Sequence, residues 1–509
     1  MLNWLKRSPT AAPLPPSVGA EPDAALAESR RLQETGDLQG ALAAAMAVLA
    51  HHPRDPRVFM RLGTLHLLQE RFDEAETYYR RGLELDPANA DWHYNLALVH
   101  GGRGDSARAI ESYRSAIALQ PAHRDAHFNL ATELHETDEL EDAIDHYLAA
   151  DAIEPGHRDV LTGAGLAMLE LDRLDEACAC FERILAHHPE YPEARLYRGL
   201  AELKLGDYAH GWDDYEFRLD TDEIRSMRRY YPGNAWNGED VAGRTVMLVA
   251  EQGFGDAVQF ARFVPLLMAR GARVLLEAPR PLVSLLRSIP GLEVIPRDDP
   301  LPHYDYYAYL MSLPRFFARS LDSVPARVPY LTPSADKVAA WKQRLAGDRN
   351  LRVGLVWAGD PHKNHPKRYR ADRRRSAPLT RLAALGTVPG VTWYSLQKGD
   401  AAEQARGPNA PFPIVDLTDE LESFEDTAAL IEALDLIVAV DTAVGHLAGA
   451  LAKPTWSMLR YDCCWRWLKD RTDSPWYPHA KLYRQPQRFD WESVAAAVAR
   501  DLAALVRTR

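Results

Sequence analysis

A glycine turn that ends in an aspartate is the first part of this sequence that could carry out chemistry. The turn, EQGFGD at residues 251–256, follows the apolar run TVMLVA, and Gly253 and Gly255 allow backbone N–H groups to approach a ligand closely. Asp256 opens a predicted helix, where its carboxylate could act as a general base. Capping of that helix is the competing interpretation, because aspartate is a favoured capping residue. The turn is not a GxGxxG fingerprint, so a dinucleotide cofactor is not expected.

A second candidate site is the Asp-Thr motif, DTAVGH at residues 441–446. It follows the apolar run LDLIVAV and begins a predicted helix, whose N-terminus would offer N–H donors and a positive dipole to a diphosphate. Thr442 can add a hydroxyl donor, Gly445 lies in the same first turn, and His446 supplies an imidazole one turn into the helix. Capping by Asp441, with a partly buried His446, is an equally open interpretation.

A basic run, HKNHPKRYRADRRRS at residues 362–376, follows the apolar run RVGLVWAG. We predict a loop here, and such charge runs are usually solvated. Its position after a buried strand, facing the same cleft as the Asp-Thr motif, favours phosphate binding. Arg375 and Ser376 are the predicted contacts, because a guanidinium fork matches phosphate oxygens.

The elements that position these residues begin with a helical array. Prolines recur every 34 residues, at Pro53, Pro87, Pro121, Pro155 and Pro189. Small residues repeat at the same period in two phases, at Ala41, Ala75, Ala109, Ala143 and Ala177, and at Gly63, Ala97, Ala131, Gly165 and Gly199. This pattern predicts antiparallel helix pairs that stack into a tetratricopeptide-type solenoid, with small side chains where helices approach closely. We predict a disordered tail over 1–20 and a solenoid of five repeats plus a capping unit over 21–225.

From Arg244 onward, β-rich runs alternate with helical stretches, which is typical of parallel βαβ units. The run TVMLVA belongs to a first Rossmann-like half, predicted over 226–345, and RVGLVWAG opens a second half over 346–509. Ligand sites in such α/β folds lie at the carboxyl ends of the strands. We therefore expect the glycine turn and the Asp-Thr motif to serve one cleft.

Composition excludes several classes of function. A net charge of -12 argues against nucleic acid as the main partner. Four cysteines are too few for a disulfide scaffold or a four-ligand zinc site, so we expect no metal and a reducing, cytoplasmic setting. No run approaches the roughly 20 apolar residues of a transmembrane helix, and no membrane-spanning segment is expected.

Several motifs occur in one order along the second part of the chain: EQGFGDAVQFARFVPLL, GLVWAGDP with RRSAPL, SLQKGD, VDTAVGHLAGALAKPTW and DSPWYP. Together they resemble the glycosyltransferase domain of bacterial tetratricopeptide-repeat glycosyltransferases over nearly all of residues 212–509. That domain is similar to the heptosyltransferases of lipopolysaccharide synthesis. The resemblance implies a GT-B pair of Rossmann-like, parallel-sheet halves. It also implies a metal-independent, inverting transferase that uses a nucleotide-sugar donor and no further cofactor.

The resemblance also implies roles for individual residues. Asp256, in the acceptor-side half, corresponds to the proposed base of the heptosyltransferases. Asp441, Thr442 and His446, in the nucleotide-sugar half, correspond to the motif that binds the donor diphosphate.

Two positions depart from the pattern of the family. Arg375 stands where a lysine contacts donor phosphate, which conserves charge and changes geometry. The glutamate that holds the donor ribose corresponds to Gln397 or Lys398, and neither provides a carboxylate. Both are retained as predicted donor contacts.

Two asparagines in the solenoid bear on the acceptor. Asn95 and Asn129 lie 34 residues apart and resemble the ladder by which O-linked N-acetylglucosamine transferases hold peptide backbone. An asparagine amide both donates and accepts hydrogen bonds, so it can bind backbone of any sequence. Arg61, Gly163 and Tyr197 occupy the other equivalent positions, and ordinary surface polarity is the competing interpretation.

The sequence thus predicts a glycosyltransferase whose acceptor is a protein or peptide held by the repeats. Two alternatives stay open. The acceptor could be a lipid or polysaccharide, with the repeats recruiting a partner. The chain could also be a non-catalytic scaffold whose α/β region only binds nucleotide.

Overall fold

The computed structural model describes residues 22–227, 229–361, 366–408 and 410–509. The predicted tail, residues 1–20, and the start of the basic run, residues 362–365, lie outside the described residues. The chain forms two compact units, which meet in sequence at Pro189 and Glu190.

Ten helices, arranged as five consecutive pairs, make up the described part of the first unit. They are α1 (Pro22–Glu34), α2 (Leu38–His51), α3 (Pro56–Leu68), α4 (Phe72–Leu85), α5 (Ala90–Gly102), α6 (Ser106–Leu119), α7 (Arg124–Glu136), α8 (Leu140–Ile153), α9 (Arg158–Glu170) and α10 (Leu174–Leu185). Each recurrent proline lies in the link that follows a helix pair. No helical hydrogen bond requires an N–H group at that position, so proline is tolerated there.

The small residues lie where the paired helices touch, as the period predicts. The five alanines of the first phase are fully buried. A Cβ atom added at Gly63 would lie 2.4 Å from Cε1 of Tyr79, and one added at Gly165 would lie 2.6 Å from Cζ of Phe181. Aromatic rings of the second helix therefore rest on the backbone of the first, and the solenoid prediction is confirmed.

The second unit begins with three helices, α11 (Pro192–Leu205), α12 (Tyr208–Tyr215) and α13 (Asp222–Met227). The repeat pattern places the end of the solenoid near residue 225, whereas the compact units divide after Pro189. The physical reason lies in α12. Its Trp212 is buried with its ring centroid 5.0 Å from that of Trp465, and its Tyr208 accepts a hydrogen bond from the indole of Trp476. The sixth helix pair thus contributes to the core of the α/β unit.

A partly buried acid in α11, Glu202, makes stability depend on pH. Burial, with the nearby charge of Asp214, raises the pKa of Glu202 to about 7, against the opposing charge of Arg198. Because the folded chain holds this proton more tightly than the unfolded chain, the free energy of unfolding should fall as pH rises from about 4.5 to 7. We expect Glu202→Gln to raise the stability by about 1–3 kcal/mol at pH 8 and to change it little near pH 4.5.

Thermal unfolding of both proteins at the two pH values measures this difference. Glu190→Gln, at an exposed position before the same helix, is the matched control. An equal Tm difference at both pH values would rule out the titration of Glu202 as its cause.

The first α/β half contains a sheet of five parallel strands in the order β1-β5-β2-β3-β4. The strands are β1 (Asn234–Ala235), β2 (Thr245–Val249), β3 (Arg273–Ala278), β4 (Glu293–Pro296) and β5 (Tyr306–Tyr309). The helices are α14 (Phe254–Phe260), α15 (Val264–Ala269), α16 (Val283–Leu286), α17 (Pro314–Phe317) and α18 (Ala335–Arg344).

The second half contains six parallel strands in the order β11-β10-β9-β6-β7-β8. The strands are β6 (Leu351–Val356), β7 (Val391–Ser395), β8 (Val415–Asp416), β9 (Leu436–Val440), β10 (Thr455–Leu459) and β11 (Ala480–Arg484). The helices are α19 (Pro366–Arg375), α20 (Phe424–Ala433), α21 (Ala443–Ala450) and α22 (Trp491–Arg507).

Both sheets have a doubly wound order, in which the chain moves outward from β2 and from β6 in two directions. The direction changes between β2 and β5 in the first half and between β6 and β9 in the second. Ligands of such sheets bind at the carboxyl ends of these strands. The predicted fold class, a helical solenoid followed by two parallel-sheet halves, is confirmed. No helix in the described part of the chain is long and apolar enough to cross a membrane.

Candidate functional site

Asp256 lies in the first turn of α14, directly beyond the carboxyl end of β2. Gly253, and not Asp256, is the N-cap residue, and the Asp256 Oδ2 atom accepts a hydrogen bond of 2.9 Å from the Gly253 N–H. The Asp256 Oδ1 atom accepts a second bond of 2.5 Å from Nη2 of Arg466. Asp256 therefore stabilises the start of the helix and also pairs with a cation from the other half.

Arg466 is a site residue that the sequence analysis missed. It lies in a short 3-10 turn, and it also donates to Oε1 of Gln259 at 2.6 Å and to Sγ of Cys464 at 2.9 Å. Its side chain is only 10% exposed, with the guanidinium 4.4 Å above the Trp465 ring. Burial opposes the charge, but neighbouring Cys464 and Asp256 hold the pKa of Arg466 above its usual value. The sequence does contain a signal for Arg466, which is an arginine between two tryptophans. A cation among buried rings needs an anionic partner, so the pattern predicts a buried ion pair.

The Asp-Thr motif lies beyond the carboxyl end of β9. Thr442 occupies the N-cap of α21 and donates through Oγ1 to the Val440 carbonyl at 3.2 Å, so capping by Asp441 is not observed. Burial alone would raise the pKa of Asp441, but its neighbours His446 and Arg466 favour the carboxylate and hold the pKa well below its usual range. Asp441 is therefore a partly buried carboxylate, with a side chain 21% exposed, next to an imidazole.

His446 is buried, with its ring stacked on Trp467 at a centroid distance of 5.6 Å. Its Nε2 atom lies 3.6 Å from Oδ1 of Asp441, and its Nδ1 atom lies 2.9 Å from the hydroxyl of Tyr477. Tyr477 belongs to the DSPWYP motif, to which the sequence analysis assigned no role. The imidazole is thus held on three sides.

The glycine turn and the Asp-Thr motif meet at Gly255. A Cβ atom added there would lie 2.9 Å from Cδ2 of His446 and 3.3 Å from Cα of Ala443. Only a residue without a side chain allows α14 and α21 to approach this closely. The structure therefore brings the two motifs together, as the topology predicts.

Two glycine-to-alanine variants test this close approach. Gly255→Ala should lower the free energy of unfolding by about 1–3 kcal/mol, because the His446 ring is buried and has no space into which to move. Gly445→Ala should be neutral or stabilising, since its nearest contacts would be ordinary ones at 3.7 Å and alanine favours a helix. Equal Tm values for Gly255→Ala and the unaltered protein would contradict the tight junction.

The basic run differs from its predicted conformation. From Pro366 to Arg375 it forms helix α19, not a loop, because arginine, lysine and alanine have high helix propensity. Arg375 donates through Nε and Nη2 to Oδ1 of Asp372, at 3.0 and 2.8 Å. Ser376 donates to the other oxygen of Asp372 and accepts from the Gly359 N–H, both at 3.0 Å. Their phosphate contacts stay a prediction, and Ser376 shapes the loop after β6.

Gln397 and Lys398 make internal contacts. The Gln397 Oε1 atom accepts from the N–H groups of Trp357 and Ala358, at 3.1 and 2.8 Å, immediately after β6. The Lys398 ammonium donates to the carbonyls of Thr418 and Leu421. These contacts stabilise the loops at the switch point of the second sheet, and the predicted ribose contact stays a prediction.

The two asparagines of the first unit also have internal partners. The Asn95 side-chain amide donates to the Asp91 carbonyl at 2.7 Å, and that of Asn129 donates to the Tyr94 hydroxyl at 3.1 Å. Asn129 is 8% exposed. Peptide binding by these amides stays a prediction, and it would require their donor groups to exchange partners.

The junction in the second unit combines a carboxylate, an imidazole and a helix N-terminus. A carboxylate can accept a proton from a hydroxyl group, and the helix end with the imidazole can bind an anion. In the described part of the chain, no group of three or more His, Cys, Asp or Glu side chains is arranged to hold a metal ion.

Comparison with known proteins matches two families. The tetratricopeptide repeat model matches residues 26–90, 94–157 and 162–210. The model of glycosyltransferase family 9 (heptosyltransferase) matches residues 395–462. The second match includes Gln397, Lys398 and the whole Asp-Thr motif, and it ends before Arg466.

Similar proteins include Protein FlbA of Caulobacter vibrioides, which is 28% identical over 334 residues, covering 59% of this chain and 54% of that protein. The chain thus spans about half the length of the curated relative it matches. Among solved structures, MamA is 25% identical with a TM-score of 0.30, covering 32% of this chain and 94% of that chain. Pseudomonas aeruginosa PilF is 25% identical with a TM-score of 0.31, covering 34% of this chain and 79% of that chain.

The repeat match covers the helix pairs of the first unit and continues to residue 210, and the family 9 match lies within the second parallel-sheet half. Both agree with the architecture of repeats followed by two parallel-sheet halves. The chain thus carries tetratricopeptide repeats within residues 26–210 and is similar to family 9 glycosyltransferases over residues 395–462.

Proposed function

We propose that this protein transfers a sugar from a nucleotide-activated donor to a protein held by its repeats. The observation that carries the proposal is the junction at Gly255, where the turn that holds Asp256 packs against the start of α21 and His446. A candidate base and a candidate diphosphate site thus lie on facing helix ends, and the diphosphate site lies in the segment that is similar to heptosyltransferases. Neither motif alone would distinguish catalysis from helix capping.

In the proposed reaction, a hydroxyl oxygen of the acceptor attacks the anomeric carbon of the donor sugar. Asp256 accepts the hydroxyl proton as the new C–O bond forms. The bond from the anomeric carbon to the diphosphate breaks, and the nucleoside diphosphate leaves with the electron pair. Attack opposite the leaving group inverts the anomeric carbon, as the resemblance to heptosyltransferases implies.

The leaving diphosphate is stabilised by groups of the chain itself. The N-terminus of α21, with Thr442 and His446, supplies hydrogen-bond donors and positive potential. Arg375 can add a guanidinium if it exchanges its bond to Asp372 for a phosphate oxygen. The proposal therefore includes no metal ion and no cofactor besides the donor.

The ion pair with Arg466 is compatible with a base at position 256. A carboxylate offers about four lone-pair sites, and the structure occupies two of them, with Gly253 and Arg466. The remaining sites can accept the hydrogen bond of an acceptor hydroxyl. Arg466 would then orient the carboxylate toward the acceptor.

Binding of a nucleotide sugar is the first test. A panel of nucleotides, nucleoside diphosphates and nucleotide sugars should contain at least one member that raises Tm, because a ligand at 100 times its Kd stabilises the folded state by about 2.7 kcal/mol. If no member of the panel stabilises the protein, the transferase proposal is wrong and the scaffold alternative gains.

The acceptor is tested separately. Intact masses of proteins from cells with and without this gene should differ by whole sugar residues for at least one protein. If the protein masses are unchanged and the lipid or polysaccharide fraction differs, the acceptor is a lipid or polysaccharide and not a protein. The cytoplasmic location stays a prediction.

A further inference from the structure

We propose that Tyr477 is a positioning residue, which holds His446 in the tautomer that carries its proton on Nε2, ready to donate to the leaving diphosphate. This inference deepens the proposed function and rests on it for the effect of the tautomer on binding of the leaving diphosphate. The tautomer itself is a property of the protein without ligand, so it can be tested whether or not the transferase proposal holds.

The first step is the fixed orientation of the imidazole. Trp467 covers one face of the ring, with an interplanar angle of 14°. Gly255 lies so close to Cδ2 that a methyl group at that position would overlap the ring. His446 is 5% exposed, and Tyr477 is 2% exposed. With the ring held in this way, Nδ1 always faces the Tyr477 hydroxyl and Nε2 always faces Asp441.

The second step is the position of the proton between Tyr477 and His446. At 2.9 Å, one proton lies between the hydroxyl oxygen and Nδ1. Burial raises the pKa of Tyr477 well above its usual value, so the hydroxyl keeps its proton. The neighbouring Tyr330 hydroxyl accepts from Arg262 and donates to the Val258 carbonyl, both at 3.1 Å. The Tyr330 oxygen is a second neighbour of the Tyr477 hydroxyl. The Tyr477 proton is assigned to Nδ1 because the Asp441 carboxylate keeps the imidazole proton on Nε2.

The third step is the environment of Nε2. Its neighbour Asp441 has a pKa well below its usual range, although burial opposes this, because His446 and Arg466 favour the carboxylate. A carboxylate attracts an N–H group, which favours the same tautomer. The separation of 3.6 Å exceeds a hydrogen bond. The Nε2–H group thus stays a donor for an anionic oxygen at the N-terminus of α21.

Loss of the Tyr477 hydroxyl would allow the proton to move to Nδ1. Nε2 would then present a lone pair, which repels a phosphate oxygen. We expect Tyr477→Phe to raise the Kd for a nucleoside diphosphate about tenfold, the size of one hydrogen bond to a charged group. Binding of the corresponding nucleoside, which has no phosphate, should not change.

The binding experiment uses the full chain and compares UDP, GDP and ADP with their nucleosides by calorimetry. Tyr483→Phe is the matched control, since it removes the same atom from a buried tyrosine on β11, whose hydroxyl bonds Asp501. Equal Kd values for the diphosphate in Tyr477→Phe and the unaltered protein would overturn the inference. If no diphosphate binds the unaltered protein, the proposed function fails, and the next measurement decides the tautomer.

That measurement is ¹⁵N NMR of histidine-labelled protein, with His446 assigned from its absence in His446→Gln. The inference expects an acceptor-type Nδ1 resonance and a protonated Nε2 in the unaltered protein, and a shifted Nδ1 resonance in Tyr477→Phe. A protonated Nδ1 in the unaltered protein would overturn it without any variant. A purely structural role for Tyr477 would change Tm but not these two resonances.

Discussion

Replacement of Asp256 by asparagine is expected to lower the turnover number at least about 100-fold, because the proposed reaction needs a base at this position. Asparagine has the same shape, and its carbonyl oxygen can still accept the hydrogen bond from Arg466. It cannot take up the acceptor proton. Donor binding should remain within a few-fold, since the donor site lies around α21 in the other half.

The measurement is steady-state transfer with the donor that the nucleotide panel identifies, alongside the Kd for that donor. Asp305→Asn is the control, because Asp305 accepts from the Thr245 N–H at the opposite, amino end of the first sheet. Its turnover should be unchanged. Full turnover by Asp256→Asn would show that another group removes the proton, and the base assignment would be wrong.

Replacement of Arg466 by methionine is expected to lower the stability, by less than the about 3–5 kcal/mol that removal of one partner of a fully buried ion pair costs, because the Asp256 side chain is 22% exposed. The variant leaves the Asp256 carboxylate and the side-chain amide oxygen of Gln259 without the guanidinium that joins them. Because Arg466 and Asp256 belong to different halves, the loss also weakens the junction between α14 and the turn at Trp465–Trp467.

Denaturant unfolding of the single variants and the Asp256→Asn/Arg466→Met pair measures the coupling. We expect a coupling energy of about 1–3 kcal/mol, as for other residues in direct contact. Arg484→Met is the control, since Arg484 donates to backbone carbonyls and to Sγ of Cys463. It should destabilise the protein less than Arg466→Met. Additive losses for the pair would mean that the charge of Asp256 contributes nothing to its pairing with Arg466.

The solenoid and the two sheets could be predicted because their signals are local. A helix pair of 34 residues carries its own prolines and small residues, and β2 and β9 are short apolar runs followed by turn residues. The extent of the solenoid could not be predicted in the same way. Helix α12 lies within the predicted bounds of the solenoid, yet its Trp212 packs its ring on Trp465, more than 200 residues further along the chain.

In the candidate site, too, local features could be predicted from the sequence and long-range contacts could not. The sequence by itself determined that Asp256 and the Asp-Thr motif follow strands and begin helices. Glycine turns and apolar runs can be recognised in the sequence without knowledge of the residues that they contact. Only the tertiary structure decided that Asp256 pairs with Arg466, that His446 faces Tyr477, and that Gln397 supports a loop. These contacts join residues on different strands or different halves. Their partners depend on which elements the fold places side by side, and no local pattern of residue types specifies that.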